Sequence, residues 1–590
     1  MIIKQGLKNI NSKFPILQEA FVLILLILVV NCFFERREVF VAADGKGYFD
    51  YLPAAFIYRD LNFTYLDTLV TEFYDHRVYN QGINPEVNGH RINKYFAGTA
   101  VVQIPFFLLA HGYSVLSERY IADGYGTVYQ QFVKYAAWFY LFLGLVFLRK
   151  LLQKRGVPNI WVFVLQVVIV FGSSLMQYAY ADASFSHVYS FFFITFFVYC
   201  INSFATNEQK KYLYLAGLSF GFIVLIRPVN GLIMLFIPFL FENQGHLFRT
   251  ARLLFTNYLQ TTLIALTLGL LIIAIQPLVW YIQTGLFFVD SYQDETFILT
   301  QPNILKFLFS YQKGFIVYAP AFFLMLIGGS LVYIQQRNFW KLGAFYLAFF
   351  VLVYIISSWW DWKYGSSFGS RVMVDYYSLF VLFVNPFFKI RQTRFKALYT
   401  LLFLPLCFIS IVQTYQYQTF ILHDSQMTKE KYWRVFLKTQ PRYRGLLYLN
   451  KVELHDEKLF FQRSIFNHEK PVSFIVGYNL LDSLDGNMLL KLASEMKQVV
   501  MQIDLNVSYL HGNDEMLVVI NDTLGNNRYY HSIHLLKAGG KENFSGWGQL
   551  QYIINSHLLE NAIVKVYFIR KDYETVIEEL KIQIASIDKF

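Results

Sequence analysis

The chain has 590 residues, of which 55% are hydrophobic and only 15% are charged. That composition excludes an ordinary soluble globular protein and is typical of a membrane protein with many spans. The net charge of +11 is modest, and in such a protein it indicates lysine and arginine in cytoplasmic loops, not a nucleic-acid-binding surface. The three cysteines lie singly in apolar runs, so we predict neither a disulfide framework nor a cysteine metal site.

The first membrane span is predicted at roughly residues 14–34. Lysines precede it at positions 4, 8 and 13, and positive charge marks the cytoplasmic end of a span. The N-terminus is therefore predicted to be cytoplasmic, and the residues after the span lie outside, in the periplasm of a bacterium. No small-residue cleavage site follows the apolar run, so we do not interpret it as a removable signal peptide.

The stretch from 96 to 116 decides the predicted topology, because a crossing here would invert every later span. It is fairly apolar but contains Gln103, Pro105 and His111. Basic clusters such as that at 389–396 separate the later spans. All of these clusters lie in the cytoplasm only if the stretch does not cross. We therefore predict a helix at the outer membrane interface, within one outer loop from 35 to 128.

Further spans bring the predicted total to about eleven. Two of them form a short pair that is broken at Arg227-Pro228. The fold class that follows is an α-helical polytopic membrane protein, multi-pass in a bacterial inner membrane, with the C-terminus outside. The approximate limits of these later spans are 129–148, 161–178, 185–204, 212–226, 229–241, 258–281, 315–334, 342–358, 375–388 and 398–415.

The composition changes after about residue 420, and apolar residues begin to alternate with polar ones. Residues 498–510 alternate cleanly, residues 580–584 alternate as well, and residues 563–569 are rich in strand-forming side chains. We predict that residues 421–590 form a periplasmic β-rich domain, a jelly-roll-like β-sandwich. It follows a transmembrane domain over residues 1–420.

Charged and aromatic side chains gather at the predicted outer ends of the spans. Asp44 and Asp50 follow the first span, and Asp182 lies at the outer end of another. A set of carboxylates, cations and aromatics at one membrane face suits an amphiphilic substrate with an anionic head. The candidates that complete the set are Lys94, Tyr95, Arg227, Trp359, Trp360, Lys363 and Arg371.

These features, in this order and on one side of the membrane, resemble the GT-C glycosyltransferases. The resemblance covers roughly residues 15–420 and includes Lys94-Tyr95 before a Pro-containing helix and the tryptophan-rich loop that ends at Arg371. The similar branch is that of the protein mannosyltransferases and aminoarabinose transferases, glycosyltransferase family 39. The first-loop acids are spaced Asp-x5-Asp here, not as the Asp-x-Asp or Asp-Glu pair common in relatives, which argues against a metal-binding role.

The resemblance implies that a hexose or pentose passes from a polyprenyl-phosphate donor to an extracytoplasmic lipid, glycan or protein acceptor. It implies direct displacement at the anomeric carbon, for which a carboxylate must take the acceptor's proton. Asp44 is our candidate for that base, and Asp182 is the second catalytic candidate. The substrate-binding candidates are Asp50, Lys94, Tyr95, Arg227, Trp359, Trp360, Lys363 and Arg371.

We predict no cofactor and no metal ligands, because no histidine or acid cluster has metal-ligand spacing, and a divalent metal stays open as an alternative. We also predict no nucleic-acid partner, because the modest positive charge is that of cytoplasmic loops. No phosphate-loop or dinucleotide motif is present, and the cytoplasmic loops are too short for a nucleotide-binding domain. This independently favours a lipid-linked donor and a bilayer-embedded site.

Structural interpretations of the same residues stay open. Asp44 can be a turn residue, Asp182 a helix cap, and Lys94 a cation that snorkels to the interface. Three other classes of protein also stay open: a transporter or flippase for a lipid-linked glycan, an O-antigen ligase or polymerase, and a glycan-binding scaffold. A transporter should carry its ionisable residues near the bilayer midplane in repeated halves, and no repeated half is evident.

Overall fold

In a computed structural model, the chain forms two compact units, Met1–Thr414 and Tyr415–Phe590. The lysines predicted to precede the first span lie outside the described residues. The structure describes residues 16–587, apart from 35–36, 38, 73–84, 118, 391–392, 441–442, 444–446, 448–458, 469–476, 486–497, 512–514, 524–526, 535–542, 556–557 and 571–575.

The first unit is helical. Besides its α-helices it has a short hairpin of strands β1 (Glu86–Val87) and β2 (His90–Arg91). It also has π-helical geometry over Ala54–Tyr58 and 3-10 geometry over Pro228–Phe236, Arg371–Tyr376 and Asn385–Lys389. The α-helices in chain order are Leu17–Phe33, Asp44–Phe49, Tyr51–Pro53, Tyr65–Glu72, Gly98–Leu116, Thr127–Lys154, Asn159–Phe171, Leu175–Tyr180, His187–Asn207, Lys210–Ile226, Ile237–Leu240, Gln244–Phe255, Leu259–Ile273, Ile275–Thr284, Ile304–Phe309, Phe315–Tyr318, Pro320–Gln335, Phe339–Ser357, Tyr377–Val384, Thr393–Leu401, Phe403–Gln418 and, in the second unit, Lys429–Val435.

Several of these helices make the chain a membrane protein. Among the described residues, seven helical segments are long and apolar enough to cross a bilayer, and four shorter apolar helices accompany them. The segment Gly98–Leu116 is one of the seven, so its predicted interfacial position stays a prediction, as does the total of eleven spans. The seven segments are Gly98–Leu116, Thr127–Lys154, His187–Asn207, Leu259–Thr284, Phe339–Ser357, Arg371–Lys389 and Arg394–Gln418.

The predicted break at Arg227-Pro228 is present. The helix from Lys210 ends at Ile226, and Arg227 has extended backbone angles of φ −151° and ψ 109°. Proline lacks a backbone N–H and disfavours helical geometry in the residue before it, which explains why the helix stops here. As a result the Arg227 side chain leaves the helix end and reaches the cavity described below.

Small residues let two helices of the bundle approach closely. A Cβ atom on Gly217 would lie 2.0 Å from the carbonyl oxygen of Ala265, and one on Gly221 would lie 2.7 Å from that of Gly269. The helices Lys210–Ile226 and Leu259–Ile273 therefore pack backbone to backbone, as membrane helices with small interfacial residues do.

A buried ion pair fixes the first helix. The Arg149 Nε atom donates to Glu19 Oε1 at 2.7 Å, and Gln166 Nε2 donates to the same oxygen at 2.8 Å. Both charged side chains are almost fully buried. An unpaired charge at this depth is costly, so the pair holds Leu17–Phe33 to Thr127–Lys154 and Asn159–Phe171.

The second unit contains two antiparallel four-stranded sheets. Their strands are β3 (Leu459–His468), β4 (Gly477–Asp485), β5 (Gln498–His511), β6 (Glu515–Asp522), β7 (Asn527–His534), β8 (Asn543–Asn555), β9 (Ala562–Arg570) and β10 (Val576–Ile587). One sheet has the order β3-β10-β5-β8, and the other has the order β4-β9-β6-β7. The predicted strands at 498–510, 563–569 and 580–584 are present as β5, β9 and β10.

Gly98 offers a test of close helix packing in the first unit, at a position near the cavity described below. A Cβ atom on Gly98 would lie 2.4 Å from the backbone nitrogen of Ile226, whereas one on Gly112, in the same helix, would meet nothing within 4 Å. We expect Gly98→Ala to destabilise the protein by about 1–3 kcal/mol through overpacking against rigid backbone. Gly112→Ala should be neutral or stabilising by up to about 1 kcal/mol, because alanine favours helix. Thermal unfolding in detergent measures both, and equal melting shifts would contradict the expectation.

Candidate active site

Five segments of the first unit enclose a cavity of about 540 Å³. The segments are far apart in sequence, yet all were predicted to lie at the same membrane face. Seven of the predicted site residues line the cavity together: Asp44, Lys94, Tyr95, Arg227, Trp359, Trp360 and Arg371.

Asp44 is held from both sides. Arg371 Nη2 donates to Asp44 Oδ2 at 2.5 Å, and the Tyr95 hydroxyl donates to Asp44 Oδ1 at 2.9 Å. The side chains of Asp44 and Arg371 are 22% and 10% exposed, so the ion pair forms part of the cavity wall. Such a charge-assisted pair fixes the position of the carboxylate.

Local backbone geometry brings Asp44 to this place. Asp44 opens a short helix, Asp44–Phe49, after Ala43, whose φ of 49° is in the left-handed region. A Cβ atom on Gly45 would lie 1.9 Å from Ser184 Oγ, and one on Gly47 would lie 2.1 Å from the Tyr95 ring. The two glycines are therefore needed because the helix packs directly against these neighbours. Asp44 is a helical residue, and its interpretation as part of an Asp-Gly turn is wrong.

The surroundings of Asp44 favour its charged form. Burial by itself raises the pKa of this carboxyl, but the Arg371 charge and the hydrogen bonds from Tyr95 and Arg371 outweigh burial and hold the pKa below its usual range. Asp44 is consequently ionised at neutral pH. While Arg371 is bound to it, Asp44 is also a weak acceptor of protons.

Lys94 and Tyr95 are positioned by contacts of their own loop. Asn93 Nδ2 donates to the carbonyl oxygen of Gly47 at 2.6 Å, and Tyr51 donates to the carbonyl oxygen of Tyr95 at 2.7 Å. Lys94 Nζ forms an ion pair with Glu295 Oε1 at 2.9 Å. The loop is thus attached to the helix that carries Asp44.

Arg227 belongs to a buried polar network. Its Nη1 atom lies 3.2 Å from His187 Nδ1 and 3.8 Å from Asp375 Oδ2. Asp375 is fully buried, lies 2.8 Å from His187 Nδ1 through Oδ1, and accepts a hydrogen bond from Asn230 Nδ2 at 2.7 Å. The network orients the Arg227 guanidinium at the edge of the cavity.

Aromatic rings form another wall of the cavity. Trp359 packs edge-to-face on Phe297, with ring centroids 4.7 Å apart, and on Tyr292 at 5.8 Å. The two loops that carry these rings are joined by backbone hydrogen bonds, from Ile298 N to Ser358 O at 2.6 Å and from Trp360 N to Thr296 O at 3.0 Å. Flat rings beside charged groups are a suitable surface for the apolar face of a sugar.

Three predicted site residues do not line this cavity. Asp50 is fully buried, where it binds Lys46 Nζ at 2.5 Å and accepts from the Tyr125 hydroxyl at 2.8 Å. Asp182 accepts from Gln177 Nε2 at 2.9 Å. The following helix begins at His187 with Ser186 before it, so Asp182 does not cap that helix.

Lys363 is the third residue outside the cavity. Its Nζ atom lies 3.8 Å from Oδ1 of Asp361, which is itself a lining residue. We accordingly assign Asp50 a packing role and leave Asp182 and Lys363 out of the substrate-binding set proposed below.

Several lining residues are not predicted from the sequence, among them Tyr48, Tyr292, Glu295 and Tyr364. Tyr292 and Glu295 lie in a loop without periodicity, and no local pattern marks them. Asp375 was treated only as the start of a span. An acid at that depth signals function or pairing in a membrane protein, so it offered a usable signal.

No group of three or more His, Cys, Asp and Glu side chains that could hold a metal ion occurs among the described residues. The acids of the cavity are instead paired with cations.

Comparison with known proteins finds a likeness to solved structures. No family model and no curated protein sequence matches the chain. The apo oligosaccharyltransferase of Archaeoglobus fulgidus matches with a TM-score of 0.39 and 12% identity, over 72% of this chain and 60% of that one. The A. fulgidus oligosaccharyltransferase AglB, in complex with an inhibitory peptide and a dolichol-phosphate, matches with a TM-score of 0.39 and 12% identity, over 73% and 60%.

The arabinosyltransferase EmbB of Mycobacterium smegmatis matches with a TM-score of 0.38 and 8% identity, over 97% of this chain and 64% of that one. The chain thus spans about three fifths of the length of these proteins. The first two are oligosaccharyltransferases and the third is an arabinosyltransferase. TM-scores below 0.5 describe a distant likeness, so the function proposed below depends on the cavity itself.

The Asp375 network provides a test of how the site is supported. We expect Asp375→Asn to destabilise the protein by about 3 kcal/mol, because it leaves Arg227 without its buried anion. Asp67→Asn is the control, since Asp67 is half exposed and pairs with Arg91 at 2.8 Å, and exposed pairs of this kind contribute less than about 1 kcal/mol. The melting temperatures of the two purified variants, each compared with that of the wild type, measure the two effects. A control as damaging as Asp375→Asn would contradict a special role for the buried network.

Proposed function

We propose that this membrane protein is a glycosyltransferase that takes a sugar from a polyprenyl-phosphate donor and transfers it to an extracytoplasmic acceptor. The observation that carries the proposal is the cavity in which Asp44 meets Arg371, beside Lys94, Arg227 and a wall of aromatic rings. A carboxylate base, phosphate-binding cations and a sugar-binding surface are the three parts that this reaction needs. The motifs of the GT-C branch, matched at these same residues, support the same class.

The reaction is a single displacement at the anomeric carbon of the donor sugar. The acceptor's hydroxyl oxygen forms a bond to that carbon while the bond from the carbon to the phosphate oxygen breaks. The electron pair of the broken bond stays on the phosphate, and the hydroxyl proton passes to an Asp44 carboxylate oxygen. The products are the glycosylated acceptor and the polyprenyl phosphate, and Asp44 then returns its proton to water.

The cations stabilise the charge that grows on the leaving phosphate. Arg371 suits this role because its guanidinium can bind phosphate oxygens in pairs. Its Nε atom is buried and has no hydrogen-bond partner among the described residues. A phosphate oxygen would satisfy that donor, and Lys94 and Arg227 would complete the anion site.

The remaining parts of the molecule fit around this reaction. Trp359 and Trp360 would stack on the sugar, and the lipid chain of the donor would stay in the bilayer beside the cavity. We place the site at the periplasmic face of a bacterial inner membrane, with eleven spans and the interfacial helix of the outer loop. The two sheets of the second unit would pack as a periplasmic sandwich that binds a glycan, lipid or protein acceptor.

A flippase for a lipid-linked glycan is the second candidate. One observation favours it: Asp375, Arg227 and His187 form a polar network at a helix break, as the sites of transporters do. We place the acids and cations of the cavity at the outer ends of the spans, not near the bilayer midplane where transporter sites lie, and this favours the enzyme. An O-antigen ligase or polymerase would differ in its acceptor and donor rather than in the use of a base.

Replacement of the base tests the enzyme directly. Membranes that contain the full chain would receive a panel of radiolabelled polyprenyl-phosphate sugars, and label moving to an acceptor would be measured. We expect Asp44→Asn to reduce transfer by at least about 100-fold, because no base then takes the proton from the acceptor hydroxyl. Asp67→Asn is the control, since Asp67 lies in the same outer loop but is half exposed and paired with Arg91.

Equal transfer by wild type and Asp44→Asn would remove Asp44 as the base. Folded wild-type protein that transfers no sugar from any donor would favour the flippase, which a lipid translocation assay in vesicles then tests.

The pH dependence of transfer gives an independent prediction. Because Arg371 holds the Asp44 pKa below its usual range, the free enzyme keeps this base ionised from about pH 5 upward. The value of kcat/KM, which reports the free enzyme, should therefore not fall between about pH 8 and pH 5 through Asp44. An acid limb centred near pH 6 that shifts in Asp44→Glu would contradict the ion-paired state of Asp44.

A further inference from the structure

Each of the three cations that line the cavity lies beside a carboxylate. Lys94 is paired with Glu295 at 2.9 Å, Arg371 with Asp44 at 2.5 Å, and Arg227 lies 3.8 Å from the buried Asp375 behind the wall. A lipid phosphate that enters the cavity must therefore compete with carboxylates already present. Only one of these carboxylates, Asp44, is also the proposed base.

Asp44 is poorly suited to take a proton in the state described. Its Oδ2 atom is bound to Arg371 and its Oδ1 atom to the Tyr95 hydroxyl. The positive charge of Arg371 beside Oδ2 lowers the affinity of the carboxylate for protons. Something must withdraw that charge before the acceptor hydroxyl can be deprotonated efficiently.

Arg371 has an unused donor with which to bind another anion. Its Nε atom is buried and has no hydrogen-bond partner among the described residues, although its guanidinium lines the cavity. The backbone at this point is anchored, because Ser370 Oγ donates to the carbonyl oxygens of Lys313 at 2.5 Å and Phe307 at 3.3 Å. A change of partner thus requires only a movement of the Arg371 side chain.

We infer that the Arg371–Asp44 ion pair is a latch, which the phosphate of the lipid donor opens by drawing Arg371 away from Asp44. The inference rests on the proposed function and adds an order to it. Donor binding comes first and frees the base, and deprotonation of the acceptor follows. Arg371 thereby acts as a positioning residue for Asp44 before it contacts the donor phosphate.

The first test measures binding without turnover. The probe is a long-chain polyprenyl monophosphate, with the uncharged polyprenol as its control, bound to the full chain in lipid nanodiscs. We expect Asp44→Asn to bind the monophosphate about tenfold more tightly than wild type, because Arg371 no longer has to leave a carboxylate. Asp361→Asn is the matched control, since it removes another acid of the cavity wall that is paired with Lys363 instead of Arg371.

A double variant assigns the effect to Arg371. The tighter binding caused by Asp44→Asn should disappear in an Arg371→Gln background, because the arginine for which Asp44 and the phosphate compete is then absent. Unchanged or weaker binding by Asp44→Asn overturns the latch, and so does an equal gain in Asp361→Asn, which would show a general charge effect. Either result leaves the proposed function to be decided by the transfer assay alone.

The wild-type protein provides a second test of the latch, in which no variant can fail to fold. A structure with bound polyprenyl monophosphate should show Arg371 on the phosphate and more than about 4 Å from Asp44, the limit for an ion pair. An ion pair retained beside the bound phosphate overturns the latch. In kinetics, kcat should show an acid limb at higher pH than kcat/KM, because the base regains its ordinary pKa only in the donor complex.

Discussion

The ion pair between Asp44 and Arg371 is the interaction on which the candidate site depends. It joins residues 327 positions apart, from the first loop to the last third of the transmembrane unit. Neither partner has the position it needs without the other segment in place. The chemistry of the cavity is therefore a property of the assembled bundle, because no local stretch of the chain contains both charges.

The surrounding structure makes this pair tolerable. Partly buried charges cost free energy unless each has a partner, and every cation of the cavity wall has one. The aromatic rings around them reduce contact with water and strengthen the remaining attractions. Close packing at Gly45 and Gly47, where a side chain would collide with Ser184 and Tyr95, keeps the carboxylate in reach of its two donors.

Much of the arrangement could be predicted from the sequence, for a physical reason. Hydrophobic length and lysine distribution specify where spans begin and end, and sidedness then places Asp44, Lys94, Arg227 and Arg371 at one face. The distances between these side chains cannot be predicted in this way. Asp50 was grouped with Asp44 because both follow the first span, yet it is paired with Lys46 four residues before it, an i,i+4 contact visible in the sequence. Glu295 and Tyr292 are brought to the cavity by tertiary contacts that leave no local pattern.

The pairing between the loop at 296–298 and the loop at 358–360 has a mechanical consequence. Antiparallel backbone hydrogen bonds join the two loops, and Trp359 also packs on Phe297 and Tyr292. The first loop begins next to Glu295, and the second includes Trp360. A movement of one loop that keeps these hydrogen bonds also moves the other loop, and with it the acid and the ring. A sugar held there would meet its polar and its apolar contact at the same moment.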